Sequence, residues 1–191
     1  LNTDSEQILQ EVKDDPRLSH VTAYARSSAH VDMEEDPTMA ASPCLLMVEE
    51  FIDQHTEEGD IVVTPHCTSP FLRKHTILEA LKQITERGYD SVSSVREHHD
   101  FTMFDQGGGL SPVNYDPQIV QHTQDLKPVV IQNGAFYIFT RSSFLQTKHR
   151  IGKNHKYMPL SFPDYIEVDT FDDLGHARVV AEGLDKPTQF N

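Results

Sequence analysis

The stretch from residue 59 to residue 88 places the strongest constraint on the fold. "DIVVT" (60–64) is an apolar run bounded by Gly59 and Pro65, a pattern typical of a strand buried on both faces. After a polar break, "HTILEALKQITERG" places Ile77, Leu78, Leu81 and Ile84 at helical spacing. Gly88 is a stop signal for that helix. A buried strand followed by an amphipathic helix is the repeating unit of α/β folds.

The rest of the chain continues this alternation. "TDSEQILQEVKDD" opens on a capping-box pattern, Thr3 with Glu6, and "ASPCLLMVEEFIDQH" has Pro43 in the first turn of a helix. Four segments are expected to be strands: "HVTAY" (20–24), "YDSVSSV", "QNGAFYIFT" and "YIEVDT". Thr170 and Asp173 cap a final helix to about Gly183. We therefore predict an α/β fold, a single domain over residues 1–191, with a mainly parallel sheet and helices on both faces.

Residues 98–128 interrupt the alternation. They contain three consecutive glycines and three prolines and show no clear period. About 30 residues without regular structure are unusual inside a compact domain. We expect an inserted segment that packs against another subunit or forms a lid.

Charge and cysteine content narrow the class of protein. The net charge of -14 over 191 residues argues against binding to nucleic acid or to an anionic membrane surface. No apolar run approaches the roughly 18–20 residues that cross a bilayer. The two cysteines, Cys44 and Cys67, show no disulfide or CxxC pattern, which favours a reducing compartment such as the cytoplasm.

Three polar clusters follow or begin predicted strands, where open parallel sheets bind ligands. They are His66 with Thr68 and Ser69, Asn133 with Gly134, and Glu167 with Asp169. Two acids spaced by two residues in a strand share a face, and their oxygens suit Mg²⁺ or Mn²⁺. In the alternative interpretation, Asp169 only caps the next helix. Asn133–Gly134 is either a ligand-contacting turn or a simple turn before a strand.

Other candidate sites are weaker. "TKHRIGKNHKY" (147–157) is either an anion clamp or a solvated loop, with its cations at Lys148, Arg150, Lys153 and Lys156. The histidines lack zinc-ligand spacing, and no glycine-rich phosphate loop is present. Cys67 has no basic neighbour to activate it, so we expect it to be a packing residue.

Six motifs, in order, resemble those of the acylneuraminate cytidylyltransferases, also called CMP-sialic acid synthetases. They are "NTDSEQI", "YARSSAH", "HCTSPFLR", "YDSVSSV", "QNGAFYIFTRSSFL" with "RIGKNHKYMP", and "IEVDTFDDL". The resemblance implies a nucleotide-diphospho-sugar transferase-like fold and a homodimer, with residues 98–128 as the dimerisation segment. It also implies that the anomeric hydroxyl of an acidic 2-keto sugar attacks the α-phosphate of CTP and releases pyrophosphate, with Mg²⁺ bridging phosphates.

The resemblance also implies roles for particular residues. Arg26, Thr68 and Ser69 match the nucleotide-binding positions, while His66, Asn133 and Gly134 match the sugar site. Glu167 and Asp169 match the metal-binding acids, on which catalysis depends. The family usually has Asp where Glu167 stands and often Gln where His66 stands, and Phe71 lengthens the segment before Arg73.

The chain starts where the family's first strand, loop and helix have ended, so we expect it to lack the segment that grips the triphosphate. Two alternatives therefore stay open. One is a sister synthetase acting on Kdo, pseudaminic or legionaminic acid. The other is a non-catalytic homologue that only binds a nucleotide or dimerises.

Overall fold

A computed structural model describes residues 1–27 and 42–184, which fall into two compact units, residues 1–57 and 58–191. The first unit contains two short parallel strands, β1 (Asn2–Thr3) and β2 (Tyr24–Ala25), and two helices, α1 (Glu6–Asp14) and α2 (Pro43–His55). The "YARSSAH" motif begins with the two residues of β2, and its residues from Ser28 on lie outside the described ranges.

Local chemistry explains both helix starts in the first unit. The Ser5 hydroxyl accepts from the Ile8 N–H at 3.3 Å and is the N-cap of α1. The predicted capping residue Thr3 lies two residues earlier, where its hydroxyl accepts from the Ser5 N–H at 3.2 Å. Pro43 begins α2 as predicted, because its missing N–H costs nothing in the first turn.

The second unit is built on a four-stranded sheet in the order β3-β7-β4-β8. Its strands are β3 (Ile61–Pro65), β4 (Ser91–His98), β7 (Val129–Thr140) and β8 (His155–Pro159). Its helices are α3 (Lys74–Thr85), α4 (Arg141–Thr147) and α5 (Phe171–Leu184). No helix within the described ranges is both long enough and apolar enough to cross a membrane.

The α/β class is confirmed, but the sheet is mixed rather than mainly parallel. Strands β3 and β4 each pair antiparallel with β7, and within this four-stranded sheet of the described chain only the β4–β8 pairing is parallel. The physical reason is the connection between β4 and β7. Residues 98–128 contain no crossover helix, so the chain returns in the opposite direction.

Helices pack on both faces of this sheet. On one face, Ala80 and Ile84 of α3 join a buried cluster with Val92, Phe136 and Ile138 of the sheet. On the other face, Phe144 of α4 packs on Phe139, with ring centroids 5.5 Å apart. Alternating residues of β7 therefore pack into hydrophobic cores on opposite faces of the sheet, as the two-residue period of a strand requires. Leu78, which we expected to face inward, is 46% exposed.

Three further segments differ from or refine the prediction. "YIEVDT" is not a strand; it is a turn and irregular chain, and a backbone hydrogen bond of 2.8 Å from the Val168 N–H to the Thr68 carbonyl joins it to the loop after β3. The last three residues of the predicted basic loop, "HKY", begin strand β8. Residues 98–128 contain an antiparallel hairpin, β5 (Met103–Asp105) with β6 (Leu110–Pro112).

An ion pair ties the start of α3 to the segment that leads to Glu167. The carboxylate of Asp164, which is 2% exposed, accepts from the Arg73 backbone N–H at 2.7 Å and from its Nη2 at 2.6 Å. It also accepts from the hydroxyl of buried Thr76 at 3.0 Å. Residues 160–170 do not form a strand and so lack the hydrogen bonds of a sheet. Side-chain interactions position this segment instead.

Candidate functional site

The antiparallel course of β7 brings two of the predicted clusters together. Pro65 at the carboxyl end of β3 pairs with Phe136, and the next N–H, that of His66, donates to the Ala135 carbonyl at 2.9 Å. Asn133 and Gly134 therefore lie beyond the carboxyl end of β3. This is the edge where α/β sheets bind ligands.

Gly134 marks the point where all three clusters meet. Its φ of +69° is the left-handed conformation that glycine adopts without a steric penalty. A Cβ at this position would lie 3.7 Å from Glu167 Oε1 and 3.7 Å from His66 Nδ1. The missing side chain thus leaves an open space lined by a carboxylate and an imidazole.

We expect Gly134→Ala to destabilise the protein by about 1–2 kcal/mol, because the left-handed conformation strains an L-residue. The new methyl group also occupies the space beside Glu167 and His66. The matched control is Gly175→Ala within α5, where nothing lies within 4 Å of the new Cβ. It should stabilise by about 0.5–1 kcal/mol through helix propensity. Urea unfolding measures both; effects of the same sign would contradict the role given to the Gly134 backbone.

His66 is held by a cation on its far side. Arg150 Nη1 lies 3.2 Å from His66 Nε2, and the guanidinium carbon of Arg150 lies 3.9 Å from the Tyr137 ring centroid. The His66 and Tyr137 rings are 5.7 Å apart. The predicted basic run thus reaches the site through Arg150, whereas Lys156 lies 6.0 Å from the Tyr89 ring.

This contact defines the protonation of His66. A guanidinium has no acceptor, so His66 Nε2 must accept, and the imidazole is neutral with its proton on Nδ1. Burial lowers the pKa of His66, the charge of Arg150 lowers it further, and Asp169 partly opposes both. His66 therefore presents an Nδ1–H donor to the space beside Gly134.

Glu167 and Asp169 form the acidic side of the site. Burial raises the pKa of Glu167, and the negative charge of Asp169 raises it further. A divalent cation relieves this repulsion, and two carboxylates are hard oxygen donors of the kind that Mg²⁺ prefers. No cluster of three or more metal-ligating side chains exists among the described residues, so substrate oxygens or water must complete the coordination. The residues present fit such a substrate-completed site.

The remaining predicted residues surround this centre. The Thr68 carbonyl accepts from the Val168 N–H at 2.8 Å, and Ser69 is 5% exposed with no partner for its hydroxyl in the described chain. The Asn133 amide donates weakly to the Tyr165 carbonyl at 3.5 Å, and its buried Oδ1 has no partner there. Both buried oxygens therefore have unused hydrogen-bonding capacity.

A cleft of about 330 Å³ opens next to Asn133 and Glu167. Its walls include Arg96 and His98 of β4, Tyr165, and Asp173 of α5. Asp173 accepts hydrogen bonds from the Thr170 N–H at 2.9 Å and hydroxyl at 2.7 Å, so the predicted cap of α5 is formed by these two residues and not by Asp169.

Two predictions fall elsewhere. Arg26 belongs to the first unit, where its N–H donates to the Thr3 carbonyl at 2.8 Å. Cys67 is exposed, which makes the expected packing role wrong: it lies in a turn after β3, where the Ser69 N–H donates to the His66 carbonyl at 3.1 Å, and not in the core. Sequence reasoning missed Tyr137, Arg96 and Tyr165. The only available signal was an arginine directly after the apolar run of β4.

Curated proteins similar to this chain share one activity in their names. N-acylneuraminate cytidylyltransferase A of Danio rerio is 32% identical over 157 residues, covering 77% of this chain and 36% of that protein. The N-acylneuraminate cytidylyltransferase of Oncorhynchus mykiss is 34% identical, covering 77% and 35%. That of Streptococcus agalactiae serotype V is 26% identical over 135 residues, covering 68% and 32%. The chain thus spans about a third of the length of these relatives.

A solved structure supports the fold. The 4-diphosphocytidyl-2C-methyl-D-erythritol synthase of Anaerococcus prevotii superposes with a TM-score of 0.51 at 10% identity, over 95% of this chain and 96% of that one. At this identity the likeness concerns the fold alone, which is of the nucleotide-diphospho-sugar transferase type. No protein-family model matches the chain.

Proposed function

Because this chain belongs to the N-acylneuraminate cytidylyltransferase family over the part that it spans, we propose that it transfers CMP from CTP to an acidic 2-keto sugar. The anomeric hydroxyl of the sugar attacks the α-phosphate of CTP, the new O–P bond forms, and pyrophosphate leaves. The observation that supports this most directly is the convergence of Gly134, His66 and Glu167 at the carboxyl end of β3.

Each side of this site has a role in the proposal. Asn133 and the Nδ1–H of His66 bind the sugar, and Gly134 lets it approach the backbone. Thr68 and Ser69, on the loop after β3, contact the nucleotide, and Arg26 is proposed to contact it as well. The unpartnered oxygens of Asn133 and Ser69 then gain hydrogen bonds, which removes the cost of burying them unsatisfied.

Glu167 and Asp169 hold the divalent cation, which we propose to be Mg²⁺ or Mn²⁺. When bound, the cation neutralises phosphate charge during the displacement. Arg150 and Tyr137 in turn hold His66 on the opposite wall.

The proposal extends to the assembly and the compartment. We propose a homodimer through residues 98–128, because Phe104, Leu110 and Val120 are each more than 60% exposed in this segment. A cytoplasmic location agrees with the two free cysteines.

Pyrophosphate release by the full-length protein, measured for each pairing of CTP, ATP or UTP with sialic, Kdo, pseudaminic or legionaminic acid, tests the function. We expect release with CTP and sialic acid. Release only with another acid would identify a sister synthetase. No release with any pairing would leave the non-catalytic alternative.

His66 offers a sharper test of the sugar site. We expect His66→Gln to keep most of the activity, because a glutamine amide both accepts from Arg150 and donates toward the site. His66→Leu lacks both capacities and leaves Arg150 without its acceptor, so kcat/KM should fall by about 10- to 100-fold. Steady-state kinetics with varied sugar measures both. Equal activities of the two variants would contradict the donor role.

A further inference from the structure

The guanidinium of Arg96 lines the cleft and has no anionic partner in the described chain. Its carbon lies 4.1 Å from the Tyr165 ring centroid, and no acceptor in the described chain bonds to it. Three other arginines do have partners: Arg73 pairs with Asp164, Arg17 with Asp15, and Arg150 donates to His66. In a protein of net charge -14, an arginine without a carboxylate partner is a candidate anion receptor.

Two carboxylates, those of Glu167 and Asp173, line the cleft together with Arg96. Asp173 accepts from Thr170 at the start of α5, and neither acid forms an ion pair with Arg96 in the described chain. The N–H groups of Arg96 can therefore donate to a ligand that enters the cleft.

The strand directs Arg96 toward the cleft. A register shift in β4 between Ser93 and Val95 re-aims the residues that follow, and Arg96 and His98 share one face and line the cleft. A guanidinium stacked on an aromatic ring keeps its N–H groups free in its own plane, where they match the two oxygens of a carboxylate. The cleft volume of about 330 Å³ suits a small organic ligand.

We propose that Arg96, held by Tyr165, binds the carboxylate of the acidic sugar and thereby selects sugar acids over neutral sugars. This inference rests on the proposed function, in which the sugar lies beside Asn133. A phosphate accepts hydrogen bonds from a guanidinium as a carboxylate does, so a phosphate of CTP is the competing ligand for Arg96. In the proposed function the nucleotide contacts Thr68 and Ser69, so the KM for CTP distinguishes the two ligands.

The test compares Arg96→Gln, Arg96→Lys and wild type in the full-length protein. The control is Arg87→Gln, at an exposed arginine after α3. We expect Arg96→Gln to raise KM for sialic acid by about 10- to 100-fold, the loss of a charge-assisted hydrogen bond, and to leave KM for CTP unchanged. Arg96→Lys should recover part of this. An unchanged sugar KM, or a raised KM for CTP, overturns the proposal.

Binding measured without turnover separates this inference from the proposed function. In calorimetric titrations, wild type should bind sialic acid more tightly than its methyl ester, and Arg96→Gln should lose that preference. If wild type shows the preference but forms no product, the proposed function fails while the role of Arg96 stands. If the preference is absent from wild type or persists in Arg96→Gln, the role of Arg96 is refuted.

Discussion

Replacing Asp169 by Asn should lower kcat/KM for CMP transfer by at least about 100-fold, the scale expected when one preorganised charge at a transition state is removed. The amide keeps the size of the side chain and removes its negative charge. Asp169 is exposed, and its backbone N–H, which donates to Asp173 at 3.2 Å, is untouched. The melting temperature should therefore stay near the wild-type value while turnover is lost.

The matched control is Asp172→Asn, an exposed carboxylate in the first turn of α5. It removes the same charge three residues away and should leave activity within about twofold of wild type. Titration with Mn²⁺, followed by water-proton relaxation, should show weakened metal binding in the Asp169 variant alone. An Asp169 variant with wild-type turnover would remove this residue from the metal site.

The largest effect on stability is expected from Asp164→Ala, about 3 kcal/mol. The change removes the acceptor of the Arg73 backbone N–H at the start of α3 and leaves the buried Thr76 hydroxyl without its partner. The segment that presents Glu167 then loses its tie to α3. Urea unfolding measures the loss. The control is Glu79→Ala, which breaks the exposed pair with Lys82 and should change stability little.

The same carboxylate predicts a pH dependence. Burial raises the pKa of Asp164, but hydrogen bonds from Arg73 and Thr76 outweigh burial and hold the pKa below its ordinary value. The pKa of Asp164 is lower in the folded state than in the unfolded state, where it is about 3.9, so this group stabilises the protein at pH values above about 3.9. That stability is lost as the pH falls through the folded-state pKa. In a plot of the free energy of unfolding against pH, Asp164→Ala should therefore make the decrease at acidic pH less steep. An unchanged decrease at acidic pH would contradict the assignment.

The fold was predictable where short-range patterns determine it. The apolar run of β3 and the helical spacing of α3 define one strand–helix unit, and Pro43 marks the start of α2. Strand direction was not predictable, because β7 reverses through residues 98–128, which have no period to read. The strand predicted at "YIEVDT" failed because residues 164 and 168 are fixed by Arg73 and Thr68, contacts that no local pattern encodes.

The candidate site, like the fold, was predictable only in part. The meeting of His66, Gly134 and Glu167 followed from placing polar residues at strand ends. It survived the error in strand direction because the antiparallel pairing places Ala135 and Phe136, in the middle of β7, beside the end of β3. Arg150 was predicted only as part of a basic run that forms an anion clamp or a solvated loop, and Arg96 was assigned no role. The aromatic rings that these arginines contact, Tyr137 and Tyr165, come from distant positions in the sequence. Such stacking depends on the tertiary fold.

The most direct test of the central claim is ³¹P NMR of the full-length protein with CTP, sialic acid and Mg²⁺. The account predicts equal amounts of pyrophosphate and a CMP-sugar phosphodiester, both absent when a chelator replaces Mg²⁺. CTP that remains intact, or that yields free CMP without a phosphodiester, would contradict it.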